Sequence, residues 1–308
     1  MWGFSAEDAE RRIAGFRQQS GGGLNVNYPL WPMSTIEPEI SEPMRRHLQV
    51  HYDAKGLGTV PTPQTSAGEV SPEHLSMLMR AKPEMVSFHF GLPAPEVLRA
   101  IRDAGIFVVS SATTVAEARA LEAQGVDAII AQGTEAGGHR GTFTGIDMTM
   151  QPGLFALLPQ VVDAVRVPVI AAGGVADGRT AAAAFVLGAS AVQLGTAFLR
   201  CDEANVSGAH RSALAEADDA STLVTDVISG RPARFIRNKL IDGLVGSALK
   251  PLPFPTQLSL TAPLGASGDR EVAALFSGQS AALAKETTAA KLVESLAEDT
   301  SQCLRMFS

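Results

Sequence analysis

The segment Ala131-Gln-Gly-Thr-Glu-Ala-Gly-Gly-His-Arg-Gly141 combines residue types that cofactor chemistry requires. It follows an apolar run, and parallel α/β folds bind ligands where strands end. Gly137 and Gly138 let the backbone approach a flat or phosphorylated ligand closely. Gln132 offers a donor and acceptors to a heterocycle, and His139 can exchange a proton near neutral pH. The structural alternative is a plain glycine-rich loop, but the density of polar groups favours a functional site.

Two later segments also end apolar runs in small polar turns. They are Pro168–Gly178, with Gly173 and Gly174, and Ala191–Phe198, with Gln193, Leu194, Gly195 and Thr196. Free N–H groups in such turns bind anions, and barrels place a phosphate site at their last two strands. Either turn alone more often just connects a strand to a helix. No Gly-x-Gly-x-x-Gly fingerprint follows a first strand, so we expect a mononucleotide, FMN.

Other polar residues give weaker signals. His89 ends the run Val86–Phe90 and Asn27 ends the run Leu24–Asn27, so both could face the same mouth. For either residue, a purely structural role fits the sequence equally well. A basic cluster is predicted to be a solvated helix face; it comprises Arg231, Arg234, Arg237 and Lys239. The remaining histidines lack metal-ligand spacing, so we expect no metal.

Short apolar runs alternate with helical patterns up to about Leu199. The predicted strands are Leu24–Asn27, Val86–Phe90, Phe107–Ser110, Ala128–Ala131, Val169–Ala172 and Ala191–Leu194. The predicted helices between them include Pro95–Ala104, Val115–Gln124 and Thr180–Leu187. This alternation predicts a parallel α/β fold through right-handed crossovers. The pattern alone is compatible with either an open doubly wound sheet or a closed barrel.

The pattern is less regular elsewhere. Arg45–Ser71 is predicted to be an irregular insertion because it is rich in Gly, Pro and Thr. Beyond Leu199 we predict helices at Ala209–Glu216 and Ser221–Val227, then an extended arm at Lys250–Pro263 and closing helices at Val272–Lys285 and Ala289–Glu298. The chain is therefore divided into a barrel core at residues 1–199 and a cap with closing helices at residues 200–308.

Composition excludes several classes of protein. The chain has 308 residues, 45% hydrophobic and 19% charged, as in ordinary globular enzymes. Its net charge of -7 argues against broad binding to nucleic acid. Its two cysteines, Cys201 and Cys303, form no disulfide framework. With no signal peptide and no long apolar run visible, we expect a cytoplasmic protein without a membrane segment.

These segments together resemble the class I nitronate monooxygenases, formerly called 2-nitropropane dioxygenases. The resemblance covers Val86–Pro93, Ala131–Gly141, Pro168–Gly178, Val192–Phe198, Gly230–Arg234 and Ser277–Gln279. It implies a (β/α)8 TIM barrel with a C-terminal helical cap, non-covalent FMN, and oxidation of alkyl nitronates such as propionate 3-nitronate by O2. A homodimer is also expected.

The resemblance assigns roles to individual residues. His139 becomes the catalytic histidine beside the flavin, and His89 lies in the substrate pocket. The cofactor contacts it implies are Asn27, Gln132, Gly137, Gly138, Gly173, Gly174, Gln193, Leu194, Gly195 and Thr196.

The sequence departs from this family in two places. Relatives begin with a strand ending in Ala-Pro-Met and a second unit ending in a Gly-Gly-Leu-Gly turn, and neither occurs here. We therefore expect only six of the eight core strands, with either a natural start upstream of Met1 or a fragment. Some relatives place Tyr and Lys in the arm, where this chain has Phe254, Leu258 and Ala262.

Three alternatives remain open. An FMN-dependent enoyl-acyl-carrier-protein reductase and an NADH:quinone reductase of the same superfamily would share the barrel and the flavin, but they would consume NADH. An inactive flavin-binding remnant would explain the absent strands without any catalysis.

Overall fold

A computed structural model describes residues 3–145 and 147–306. Its strands are β1 Asn25–Pro29, β2 Met85–His89, β3 Phe107–Ala112, β4 Ala128–Gln132, β5 Gly138–His139, β6 Val169–Ala172, β7 Ala191–Gln193, β8 Thr222–Thr225 and β9 Ala233–Ile236. Its α-helices are α1 Ala6–Gln19, α2 Pro38–Ala54, α3 Pro72–Ala81, α4 Pro95–Asp103, α5 Val115–Ala123, α6 Leu154–Ala164, α7 Gly178–Val186, α8 Gly208–Glu216, α9 Lys239–Val245, α10 Thr256–Gly265 and α11 Ala289–Arg305.

Six strands form one parallel sheet in the order β1-β2-β3-β4-β6-β7. All six were predicted from the sequence, with ends that differ by at most two residues. The sheet curls into part of a TIM barrel, with helices packed against it. In the described residues β1 and β7 are its outermost strands. The expected α/β barrel architecture is thus confirmed.

The helices begin and end where local chemistry requires it. The Thr114 side chain accepts a hydrogen bond from the backbone N–H of Glu117 and caps α5. Asp177 and Thr180 form a reciprocal capping box at the start of α7. After α4 the chain turns at Gly105, whose φ of 76° suits glycine.

Alternation along the strands separates the outer core from the barrel interior. In β1, Val26 and Tyr28 are buried with the helices, whereas Asn25 and Asn27 are exposed. Deeper in the interior lies a small apolar cluster; it contains Val109, Ala128, Ile130 and Ala172. Polar side chains follow it toward the carboxyl ends of the strands, so the sheet positions them at one mouth.

Several predictions outside the sheet were wrong. Ser221–Val227 contains strand β8, which pairs with β9, and not a helix. The segment Lys250–Pro263, predicted to be an extended arm, is helical from Thr256, where α10 begins. Val272–Lys285 is mostly irregular, with only two short 3-10 turns. The first part of Arg45–Ser71 belongs to α2, whose apolar face packs with α10. The strand at Ser221–Val227 has no recognisable alternation of buried and exposed residues, because β8 is short and half-buried along its length.

The basic cluster was also misassigned. Arg234 lies in strand β9 and is 6% exposed, and Arg231 is half-buried. Only Arg237 and Lys239 are exposed to solvent. Among the described residues, no helix is long and apolar enough to cross a membrane.

Candidate active site

The carboxyl ends of the parallel strands surround a cavity of about 490 Å³. Its lining includes seven residues predicted for the site, namely Asn27, His89, Gln132, Gly137, His139, Gln193 and Leu194. Ser87 and Ser111 add hydroxyl groups, and Phe254 adds an aromatic wall. This cavity is therefore lined by both polar and aromatic side chains.

A second cavity of about 240 Å³ adjoins the first. The two share Gln132, Gly137, Ala172 and Gln193 in their walls. The second is lined by both predicted turns, through Gly173, Gly174, Gly195 and Thr196, and by Gly138. The structure thus brings every sequence-predicted site residue to one of two neighbouring cavities.

Gln132 fixes the loop that follows β4. Its Oε1 accepts a hydrogen bond from the Gly141 N–H at 2.7 Å, and its Nε2 donates to the His139 carbonyl at 3.1 Å. Arg140 closes the loop by donating to the Gln132 carbonyl at 2.5 Å. The loop from 132 to 141 is therefore a closed hydrogen-bonded turn whose side-chain amide still borders both cavities.

His89 lies under the same loop. Its Nε2 is 3.1 Å from the His139 carbonyl oxygen, which can only accept, so this nitrogen donates. Its Nδ1 lies 3.0 Å from Ser111 Oγ. Burial, followed by the charges of Arg231 and Arg140, lowers the pKa of His89 to about 4. A neutral His89 with both nitrogens hydrogen-bonded holds the loop to the sheet.

His139 is surrounded by aromatic rings. Its ring centroid lies 4.9 Å from that of Phe254, 5.5 Å from Phe276 and 6.0 Å from Phe90. Its Nε2 lies 2.9 Å from Ser229 Oγ. Burial, then His89 and Arg231, lowers the pKa of His139 to about 3. His139 is therefore uncharged near neutral pH, unlike a cationic anion-binding histidine.

The small antiparallel sheet holds this loop from the other side. Strand β5, which contains His139, pairs with β9 and β8 in the order β5-β9-β8. From β9, Arg234 donates to the Thr134 carbonyl through Nε at 3.0 Å and Nη2 at 2.9 Å. No sequence pattern predicts this role, because a two-residue strand has no readable periodicity.

Arg231 brings positive charge close to the mouth. Its guanidinium carbon lies 3.9 Å from the centre of the Phe90 ring, and it donates to the Thr142 carbonyl. Burial lowers its pKa to about 10, and the nearby Glu117 opposes that effect. It remains charged at neutral pH and raises the local positive potential beside both histidines.

Glu117 organises the turn that follows the loop. It is fully buried and accepts hydrogen bonds from Thr113, Thr142, Phe143 and Thr144. Burial opposes its charged form, but these hydrogen bonds outweigh burial and hold its pKa below the ordinary value. The sequence suggested only a favourable position near the start of α5.

A C-terminal turn covers the second cavity. Gly278 N–H donates to Thr196 Oγ1 at 2.9 Å, and Gln279 N–H donates to the Glu135 carbonyl at 3.0 Å. A Cβ on Gly137 would lie 2.6 Å from Gly278 N, so the two segments touch through glycine backbones. Residues 277–279 therefore complete a wall that the β/α units alone leave open.

Comparison with known proteins places the chain in a family. The nitronate monooxygenase family model matches residues 54–299. A nitronate monooxygenase from Paraburkholderia phytofirmans is 36% identical over 97% of this chain and 84% of its own length. One from Pseudomonas aeruginosa is 44% identical over 74% of this chain and 66% of its own length.

Solved structures agree with that assignment. Nitroalkane oxidase from Streptomyces ansochromogenes superposes with a TM-score of 0.90 at 36% identity, covering 99% of this chain and 88% of that one. FabK from Thermotoga maritima is more distant, with a TM-score of 0.69 at 25% identity over 99% of this chain and 85% of that one. With the family model matching most of its length and the fold shared throughout, this chain belongs to the nitronate monooxygenase family.

Proposed function

We propose that the protein oxidises alkyl nitronates with a bound flavin and O2, and that the flavin is FMN. The single observation that carries the proposal is the position of His139. Its ring borders the cavity that adjoins both glycine turns, so one ligand could reach the histidine and the turns together. Membership in the nitronate monooxygenase family supports the same reaction.

The residues present fit a flavin mononucleotide. Gly173 and Gly174 have φ of 103° and 72°, and a Cβ on Gly173 would lie 3.0 Å from Ala136 N, so the turn admits only glycine without strain. Backbone N–H groups of this turn, together with Gly195 and Thr196, would hold a phosphate. Glu135 also borders this cavity, but its carboxylate accepts from the Leu154 N–H at 2.8 Å. Its charge is thereby directed to the start of α6.

The larger cavity would hold the ring system of the cofactor. Asn27, Gln132 and Gln193 supply amide groups to its lining. The aromatic rings of Phe254 and Phe90, which also line it, would exclude water from the substrate. When bound, the flavin supplies the electron-accepting chemistry that protein side chains lack.

His139 is the residue we propose to meet the substrate. As a half-buried neutral imidazole it can exchange hydrogen bonds or a proton at one ring nitrogen. The charge of Arg231 beside Phe90 would favour an anionic ligand such as a nitronate. We propose that His89 borders the substrate pocket and acts by orienting the loop, since both its nitrogens are hydrogen-bonded to protein atoms.

One comparison of substrates separates the candidate functions. The purified protein should show a flavin spectrum with one FMN per chain after denaturation and chromatography. It should consume O2 when propionate 3-nitronate is added. Turnover of NADH with an enoyl thioester or a quinone would instead support the reductase alternatives. The more distant similarity to FabK gives those alternatives only weak support. A colourless protein, inert with all substrates, would support the inactive remnant.

Other expectations stay predictions. They are the division at residues 1–199 and 200–308, the cytoplasmic location and the homodimer. The pairing of β5 with β9 means that the proposed site depends on both parts of the chain.

A further inference from the structure

Ser229 is a fully buried residue in direct contact with the proposed catalytic histidine. Its Oγ lies 2.9 Å from His139 Nε2 and 2.9 Å from the Arg231 carbonyl oxygen. It lies in the turn after β8, about ninety residues from His139 along the chain. Neither the glycine-rich loop nor the spacing of the histidines points to it.

The hydrogen-bond network fixes the direction of each proton. A backbone carbonyl can only accept, so the single Ser229 hydroxyl proton is directed to the Arg231 carbonyl. The Oγ is then an acceptor toward His139, and Nε2 of the imidazole must donate. A neutral imidazole carries one N–H. Nδ1 of His139 is therefore the unprotonated nitrogen.

The second nitrogen of His139 remains for a ligand. Within residues 3–145 and 147–306, Nδ1 of His139 makes no hydrogen bond, and the ring borders the larger cavity. The main chain of His139 is fixed separately, by pairing with β9 and by two donors to its carbonyl. With the main chain and Nε2 both fixed, Nδ1 is the ring nitrogen that remains to hydrogen-bond a bound molecule.

The turn that carries Ser229 is itself fixed by α10. Gln257 Nε2 donates to the Val227 carbonyl at 2.8 Å, and Thr261 Oγ1 donates to the Ile228 carbonyl at 2.7 Å. Both side chains are buried. A Cβ on Gly230 would lie 2.1 Å from the Leu252 carbonyl, so the backbone packs closely there. Ser229 thus has little freedom to move away from His139.

We infer that Ser229 is a positioning residue that holds His139 in the Nε2–H form, so that His139 presents an unprotonated Nδ1 to the larger cavity, where it can accept a proton or a hydrogen bond from a bound donor. Ser229 touches neither substrate nor cofactor and acts through His139 alone. The effect on turnover rests on the proposed function, whereas the tautomer does not.

The test compares the wild type with Ser229→Ala and Ser229→Thr as flavin-loaded proteins. Protein labelled with ¹⁵N-histidine is observed by NMR at pH 7.5, and a His139→Asn variant assigns the His139 signals. We expect a protonated Nε2 and an unprotonated Nδ1 in the wild type. Ser229→Ala should shift His139 toward the other tautomer or a mixture, and Ser229→Thr, which keeps the hydroxyl, should restore the wild-type signals.

Kinetics adds a separate readout. With a neutral nitroalkane, whose α-proton an unprotonated Nδ1 can accept, Ser229→Ala should lower kcat about tenfold, equal to about 1.4 kcal/mol, while its flavin content stays at the wild-type level. A wild type with Nδ1 protonated, or a Ser229→Ala protein with unchanged His139 signals, would overturn the inference. If the tautomer responds as expected but no nitronate is consumed by the wild type, the positioning role stands and the proposed function fails.

Discussion

Nε2 of His89 lies 3.1 Å from the main-chain carbonyl oxygen of His139. Gln132 donates to the same oxygen, also at 3.1 Å. These two side chains lie at the ends of β2 and β4, the strands that flank β3, and they meet on one atom of the loop. These two hydrogen bonds from the barrel interior thereby fix the position of the His139 main chain, and the pairing of β5 with β9 fixes its orientation.

Removing the His89 donor should loosen this arrangement. We expect His89→Leu to lower the free energy of unfolding by about 1–3 kcal/mol, because Ser111 and the His139 carbonyl each lose a buried partner. It should also lower kcat about tenfold, while His89→Gln, which keeps a donor, should lose less. Urea denaturation and O2 uptake check both. Equal losses in the two variants would contradict the role given to the Nε2 donor.

Two glycines with nearly the same backbone angle provide a matched test of the phosphate site. Gly174 has φ of 72° and Gly105 has φ of 76°, and neither would bring a Cβ within 3.4 Å of another atom. Alanine at either position should cost about 1–2 kcal/mol of stability through backbone strain. Only Gly174→Ala should also weaken FMN binding, by at least tenfold, since its methyl group would occupy the cavity. FMN titration by fluorescence measures the difference, and equal FMN affinities would remove this turn from the site.

The hydrogen bonds that Arg234 donates from β9 to the Thr134 carbonyl should contribute more to stability than the charge of Arg234 does. Arg234→Met leaves the Thr134 carbonyl without two donors, so we expect a loss of about 2–3 kcal/mol in stability. FMN occupancy should fall with it. Arg237→Met, three residues on and exposed with Asp242 as its partner, should change stability by less than about 0.5 kcal/mol. Thermal unfolding of the two variants measures the difference. Equal losses of stability would show a general effect of charge and contradict the role given to the Arg234 hydrogen bonds.

The buried histidines predict how stability depends on pH. The folded protein holds the pKa of His139 at about 3 and that of His89 at about 4, while the unfolded chain takes up these protons near pH 6.5. The contribution of these histidines to the free energy of unfolding is therefore fully present above pH 6.5, and it is lost as the pH decreases toward 4. The slope of this loss approaches about 1.4 kcal/mol per pH unit for each histidine.

The histidine contribution can be isolated experimentally. Urea unfolding between pH 5 and 7.5 avoids most carboxylate titration, and His89→Gln should reduce the slope. The pKa values of His51 and His210 are also lowered by burial and contribute with the same sign, so the variant is needed to separate them. A free energy of unfolding that stays constant down to pH 5 would show that both histidines keep ordinary pKa values in the folded protein, and it would contradict this prediction.

The strands were predictable from the sequence for a clear physical reason. Parallel strands buried on both faces are continuous apolar runs, such as Ala128–Gln132, and they end at glycines or polar residues. The ligand-binding ends follow from the direction of the strands, so His89, Gln132 and His139 could be expected at one mouth.

The remainder of the site depends on contacts distant in sequence. Ser229, Arg234 and Gly278 reach the loop from the C-terminal part, through a strand pairing of two residues and through close glycine contacts. The run at Ser221–Val227 carries no clear alternation, because β8 is half-buried along its whole length. Local patterning cannot identify such elements, since packing decides their conformation.

Anaerobic mixing with propionate 3-nitronate tests the central claim most directly. The protein as purified, with its flavin, is mixed with the nitronate in a stopped-flow instrument without O2, beside a His139→Asn variant that retains flavin. We predict rapid loss of the 450 nm flavin absorbance in the wild type and at least a hundredfold slower loss in the variant. An unchanged spectrum in the wild type, or equal rates in both proteins, would contradict a nitronate-oxidising site built around His139.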